Sequence, residues 1–216
     1  MKKLVIFDLD GTLTDSLKSI QYCTNMTIGE FGFEPLPLEP FRYFVGDGAS
    51  ELMKRVLIAS GDKELVHYEK AMERYRQVFE EHCMYEVKAY EGIKELLATL
   101  KKKGILMAVN SNKPHERTVY VIEQVFGKDC FNMLVGFSPE RERKPSPVGA
   151  LYIANTLGVE KEDIIYVGDT MTDMKTGKSA GMFTVGVLWG FRDREELEEY
   201  KADAIIAKPM ELLKYL

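Results

Sequence analysis

Short apolar runs of β-forming residues, spaced along a 216-residue chain, constrain this fold more than any other feature. They occupy residues 4–7, 105–109, 133–137, 164–167 and 183–187, with a weaker one at 204–206. Runs this short, without polar alternation, suit strands buried on both faces. Between them, from Glu91 onward, apolar residues recur at helical spacing. Ile93, Leu96, Leu97 and Leu100 make one such face, closed by Lys101-Lys102-Lys103-Gly104. Basic residues suit a helix C-terminus, and glycine is a common stop. Further helices are expected at 114–125, at 147–157 and from Met171. Strand and helix alternating in this way predict an α/β fold: a doubly wound, mostly parallel sheet with helices on both faces.

Residues 15–86 break that rhythm. Leu17, Ile20, Thr24, Ile28 and Phe31 recur at helical spacing up to Gly32, and Pro35, Pro37 and Pro40 punctuate a connector. Leu52, Met53, Val56 and Leu57 mark a second amphipathic stretch, and Leu65, Tyr68, Met72, Tyr75 and Phe79 a longer one. A helical insert of this size is a candidate second domain. The expected division is residues 1–14 and 87–216 as an α/β core domain, with 15–86 as an inserted α-helical domain.

In an open parallel sheet, ligands bind beyond the carboxyl ends of the strands. Here those ends are polar. The run 4–7 leads into Asp8-Leu9-Asp10-Gly11-Thr12, and 105–109 into Asn110-Ser111-Asn112-Lys113. After 133–137 come Ser138 and then Lys144-Pro145-Ser146-Pro147; after 164–167 comes Gly168-Asp169-Thr170-Met171-Thr172-Asp173. Side chains at i and i+2 of a strand share a face, so Asp8 and Asp10 are expected to approach each other. Such a pair repels unless a positive charge intervenes, and a hard divalent cation such as Mg²⁺ prefers oxygen ligands. Gly11 permits a sharp turn, and Thr12 brings a hydroxyl and a backbone N–H to the pair.

Asp8-Leu9-Asp10-Gly11-Thr12-Leu13 resembles the first motif of the haloacid dehalogenase-like hydrolase superfamily. Ser111, Lys144 and Gly168-Asp169 with Asp173 match its second, third and fourth. The resemblance implies a Rossmann-like core with Asp8 as nucleophile and Asp10 as general acid/base. It also implies Mg²⁺ held by Asp8, the Asp10 backbone carbonyl and Asp169, with Asp173 a weaker or indirect contributor. Ser111 and Lys144 complete the catalytic set, and residues 15–86 correspond to the family's helical cap. Val45-Gly46-Asp47-Gly48, Asn112-Lys113-Pro114 and Lys144-Pro145-Ser146-Pro147 resemble phosphoglycolate phosphatases in particular. Ser111 stands where many of those enzymes have Thr, and it keeps the hydroxyl.

Thr12, Asn112 and Lys113 are the expected substrate contacts in the core, and Arg42, Gly46 and Gly48 those in the insert. Several have a second reading. Lys113 is as suited to orienting a loop as to touching substrate, and Asp173 to capping the helix that begins beside it. Gly46 and Gly48 suit a plain turn equally well, with Arg42 solvated. Trp189 and Phe191 read as core or as substrate-facing.

Phosphoryl transfer explains the charges. Asp8, Asp10 and Asp169 together with a phosphate monoester need a metal and a lysine. The expected substrate is a small phosphorylated metabolite. A formal net charge of -5, with both signs interspersed, disfavours a nucleic-acid-coating surface. No apolar run is long enough to span a bilayer, and no secretion signal precedes the first strand, so a cytoplasmic protein is expected. Rival readings are a phosphosugar mutase of the β-phosphoglucomutase kind, a pyrophosphatase or nucleotidase on the same scaffold, and a phospho-acceptor signalling or interaction protein. Composition leaves monomer and homodimer both open.

Overall fold

The computed structural model describes residues 2–216. Met1, which the sequence places ahead of the first strand, lies outside the described residues. The chain forms two compact units: Met1–Asp15 with Ala89–Leu216, and Ser16–Lys88. Strands β1 (Leu4–Phe7) and β2 (Thr14–Asp15) precede helices α1 (Leu17–Gly29), α2 (Phe41–Phe44), α3 (Ala49–Ala59) and α4 (Tyr68–His82). The chain then runs through β3 (Lys88–Ala89), α5 (Ile93–Lys102), β4 (Leu106–Pro114), α6 (His115–Phe126), β5 (Met133–Phe137) and α7 (Val148–Leu157). It closes with β6 (Ile164–Gly168), α8 (Met171–Ser179), β7 (Phe183–Val187), α9 (Arg194–Glu199) and β8 (Ala204–Ile206).

The larger unit holds a six-stranded sheet in the order β5-β4-β1-β6-β7-β8. Its pairings are parallel, as the alternation of strands and helices predicts. Strand β1 takes the centre because Leu4, Val5, Ile6 and Phe7 are all apolar and all buried. Alternate residues face opposite layers. Leu4 and Ile6 join Ala108, Val135, Ile164 and Tyr166 against Ala150, Ile153 and Ala154 of α7. On the other side Phe7 meets Phe131 edge to face at 6.5 Å. Each buried Val, Leu, Ile or Phe of this set contributes about 1.5–3 kcal/mol through burial. What matters for function is the register: Phe7 lies level with Val109 and with Val167. The residues that follow, Asp8, Asn110 and Gly168, therefore leave the core abreast, where strand order reverses.

The second strand departs from the expected 105–109. It continues through Asn110, Ser111, Asn112 and Lys113 to Pro114. All four of these polar residues are buried, so they hold sheet backbone while facing other protein groups rather than water. Pairing with β5 shifts register between Asn110 and Pro114, which re-aims the side chains between them. Helix α6 starts one residue later than expected in consequence. Helix α1 stops at Gly29 instead of Gly32. Helix α9 was not anticipated, because Leu197 is its one buried residue and leaves no apolar periodicity to read.

The helical unit has its own interior. The Ser19 hydroxyl donates to the Cys83 carbonyl at 2.8 Å, joining α1 to the end of α4. Tyr22 stacks on Tyr85 with centroids 4.1 Å apart. The Asn25 amide exchanges hydrogen bonds of 2.9 and 3.0 Å with the Leu36 backbone, fixing the proline-rich connector. Asp62 accepts from the Val66 and His67 N–H groups, both at 2.9 Å, and sets the turn ahead of α4.

Candidate active site

Asp8 follows β1 directly and is only 6% exposed. One of its oxygens accepts from Lys144 Nζ at 2.6 Å, and the same ammonium donates to Asp173 Oδ1 at 2.7 Å. Lys144 sits on an irregular segment, so something must hold it. That role falls to Asn112: its Oδ1 accepts from the Lys144 N–H at 2.9 Å, and its Nδ2 donates to the Lys144 carbonyl at 3.0 Å. The structure thus engages the Asn112 amide in placing the lysine, where the sequence pointed to substrate.

Asp169 is fully buried. Its Oδ1 accepts from the Thr12 hydroxyl at 3.1 Å and its Oδ2 from the Phe191 N–H at 2.8 Å. Thr12, expected against substrate, therefore steadies a carboxylate. Glycines make room here. Gly11 has φ +94°, and a Cβ there would run into the Asp169 carboxylate. A Cβ at Gly190 would overlap the Asp169 side chain and stand 2.5 Å from the Gly11 carbonyl.

Asp173 caps the helix that begins beside it. Its Oδ2 accepts from the Thr170 N–H at 3.1 Å and the Thr170 hydroxyl at 2.8 Å, closing a reciprocal cap at the start of α8. Its Oδ1 remains on Lys144. The cap locks the side chain, and the locked side chain holds the ammonium.

Asp10 does not share the partner of Asp8. Both of its oxygens accept from Lys113 Nζ, at 2.6 and 2.7 Å. Lys113 was expected against substrate or orienting a loop; in this structure it grips the second aspartate. Ser111 comes just before Asn112 and Lys113 on β4 and is buried, its Oγ accepting from the Lys113 N–H at 3.2 Å.

Electrostatics follow from burial. Loss of water pushes the Asp8 carboxyl up to about 7, opposed by the Lys144 charge and aided by Asp173. Burial, together with the charges of Asp173 and Asp8, likewise raises Asp169 well above the usual carboxylate range. Burial alone would lower the Lys144 ammonium. The charges of Asp173 and Asp8 outweigh it and hold the group well above the ordinary lysine value.

One carboxylate oxygen from each of Asp8, Asp169 and Asp173 lies within 4.8 Å of the other two. Fully ionised, the three carboxylates and the Lys144 ammonium sum to two negative charges. Hard oxygen donors in that balance fit a divalent cation. The Asp10 carboxylate is not a member of that group; the ligand expected from this residue is its backbone carbonyl.

Trp189 and Phe191, read from sequence as core or substrate-facing, contribute N–H groups instead. The Trp189 indole N–H donates to the Thr12 carbonyl at 2.9 Å, and Phe191 supplies the N–H to Asp169. Both lie just after a strand, where side-chain type alone does not reveal a backbone or ring N–H aimed at a site. In the helical unit, Arg42 belongs to α2, while Gly46 and Gly48 have φ of +116° and +91°. Arg55 braces this loop, donating to Asp47 at 2.5 Å and to the Phe44 carbonyl at 2.9 Å.

Comparison with known proteins agrees with the geometry. The family model of the haloacid dehalogenase-like hydrolases matches residues 5–187. A phosphoglycolate phosphatase of Aquifex aeolicus is 33% identical over 218 residues, covering 99% of this chain and 96% of that one. Another from Neisseria meningitidis is 32% identical over 197 residues, covering 90% and 84%. A crystal structure described as a predicted phosphoglycolate phosphatase from Haemophilus somnus superposes with a TM-score of 0.92 at 25% identity, covering 99% and 97%.

Proposed function

This chain belongs to the haloacid dehalogenase-like hydrolase family and is a phosphatase, and on that premise we propose that it hydrolyses a small phosphate monoester resembling phosphoglycolate, through an aspartyl-phosphate intermediate, with Mg²⁺ as cofactor. The observation that carries this reading is the buried cluster of Asp8, Asp169 and Asp173, in which Lys144 joins Asp8 to Asp173. Asp8, Asp169 and the Asp10 carbonyl would hold the ion, and Asp173 acts through Lys144. A bound Mg²⁺ would neutralise charge developing on the phosphoryl oxygens.

In this mechanism an Asp8 oxygen attacks phosphorus and the bond to the ester oxygen breaks. The departing oxygen keeps the electron pair and takes a proton from Asp10. Water then attacks the aspartyl phosphate, giving its proton to Asp10. The Asp8 carboxylate is restored and inorganic phosphate leaves. Lys144 screens Asp8 from Asp173 so that the nucleophile can be anionic, and the Ser111 hydroxyl hydrogen-bonds a phosphate oxygen. We assign choice among esters to the helical unit, with Arg42, Gly46 and Gly48 as its candidates, because the core groups address only the phosphate common to all of them. A metabolite substrate implies a cytoplasmic setting.

Asp8→Asn tests the chemistry. The amide is nearly isosteric but a poor nucleophile. The fold should survive by circular dichroism while phosphate release, screened over phosphorylated metabolites with Mg²⁺, falls by about ten-thousandfold or more. Phosphate trapped on any other residue overturns the assignment. Product analysis separates the mutase reading: free phosphate marks a hydrolase, an isomeric ester a mutase.

A further inference from the structure

Lys113 is a charged side chain only 5% exposed, carried on a strand rather than a loop. Burying an ammonium is costly unless it is paired. Here it is paired with the Asp10 carboxylate through both oxygens, at 2.6 and 2.7 Å. The backbone beneath it is pinned on each side. Its N–H donates to Ser111 Oγ at 3.2 Å, and its carbonyl accepts from the Thr118 hydroxyl at 3.2 Å. Strand β5 packs so closely that a Cβ at Gly136 would stand 2.8 Å from the Lys113 carbonyl and 2.6 Å from the Thr118 hydroxyl. The side chain therefore rises from a rigid base and ends on the Asp10 carboxylate.

A single ammonium that grips both oxygens fixes the plane of a carboxylate. An acid catalyst needs that constraint, because proton transfer requires the donor oxygen within hydrogen-bond reach of the leaving atom. In the proposed mechanism one Asp10 oxygen keeps the lysine while the other passes the proton to the ester oxygen. We infer that Lys113 is a positioning residue for proton transfer by Asp10, acting on the leaving alcohol through that aspartate rather than by binding substrate. The inference rests on the proposed role of Asp10 as general acid.

The test compares Lys113→Met, Asp10→Asn and the double variant on two esters, an alkyl phosphate and p-nitrophenyl phosphate. The readout is kcat/KM, which covers only the steps up to departure of the alcohol. An alkoxide leaves poorly and needs the acid, whereas nitrophenolate does not. Lys113→Met should cut kcat/KM for the alkyl ester about a hundredfold, and at least tenfold more than for the aryl ester. Its Mg²⁺ activation curve should stay in place. In the Asp10→Asn background the same substitution should change the alkyl ester less than about twofold, because its target is gone. Lys113→Arg, which keeps a cation, should recover part of the loss. Parallel losses on both esters, or full additivity in the double variant, overturn the inference while leaving the hydrolase reading intact. A rise in KM alone makes Lys113 a substrate contact and overturns it equally. Wild-type protein that releases phosphate from neither ester overturns both. Since Asp10→Asn removes the charge that Lys113→Met would strand, the double variant keeps the test readable if the single one unfolds.

Discussion

At the scale of single residues, two aspartates separated by one leucine are held by different lysines. Asp8 is buried against Lys144, and Asp10 is held by Lys113. The sequence shows their spacing but not their partners, since Lys113 and Lys144 lie far along the chain and bring no local signal to residues 8–10. Thr12 and Asn112 make the same point. Each carries a polar group in the right place, yet each addresses a protein group, Asp169 and the Lys144 backbone respectively. Burial of Asp8 has a consequence for pH. An aspartate ionises near 4 when unfolded, and here burial pushes Asp8 up to about 7. Its protonated form therefore stabilises the metal-free fold below pH about 4, and that contribution is lost as pH rises through about 7. A metal needs the anion, so the proton must leave on binding. Apparent Mg²⁺ affinity, measured by calorimetry, should weaken by about tenfold for each pH unit below about 7. Asp169, also raised by burial, should steepen the fall. Affinity flat from pH 5 to 8 would contradict this electrostatic account.

At the scale of elements, hydrophobic periodicity was a good guide wherever a strand or helix faces only core. Strands Met133–Phe137, Phe183–Val187 and Ala204–Ile206 were legible to the residue. Legibility failed in β4, whose last residues are strand by backbone and site by side chain, so their polarity argued for a loop. It failed again at α9, where Leu197 is the single buried anchor and the remaining face is charged. The helical unit offers a test of substrate choice. Gly48 stands at the N-cap of α3 with φ +91°, so a β-branched residue there is strained whatever the substrate. Arg42 is the cleaner probe, since α2 can accept alanine without backbone change. Arg42→Ala should lower kcat/KM for phosphoglycolate by about tenfold or more while changing p-nitrophenyl phosphate by less than about threefold. Loss of both in parallel would remove Arg42 from the selecting set.

The whole molecule is two units in which the second interrupts the first: Ser16–Lys88 is inserted between the short segment that carries Asp8 and Asp10 and the long one that carries everything they need. Tolerance of such an insert is expected, because loop-closure cost grows only slowly with length. Asp8, Asp169 and Asp173 all belong to the larger unit, so stabilisation by metal should enter the molecule there. At a hundred times its dissociation constant, Mg²⁺ should add about 2.7 kcal/mol to that unit. For a domain of this size the matching rise in Tm is about 5–10 °C. If the units unfold independently, calorimetry should show two transitions, with only one moved by Mg²⁺ and moved back by chelator. Asp169→Asn supplies the control. The amide keeps an acceptor for the Phe191 N–H and can donate to the Thr12 hydroxyl, so the fold has what it needs while the third buried charge is gone. This variant should melt as a folded protein and lose most of the Mg²⁺ shift. A wild-type protein whose transitions ignore Mg²⁺ at millimolar concentration and pH 8, above the Asp8 value of about 7, would show that the acidic cluster does not hold the ion.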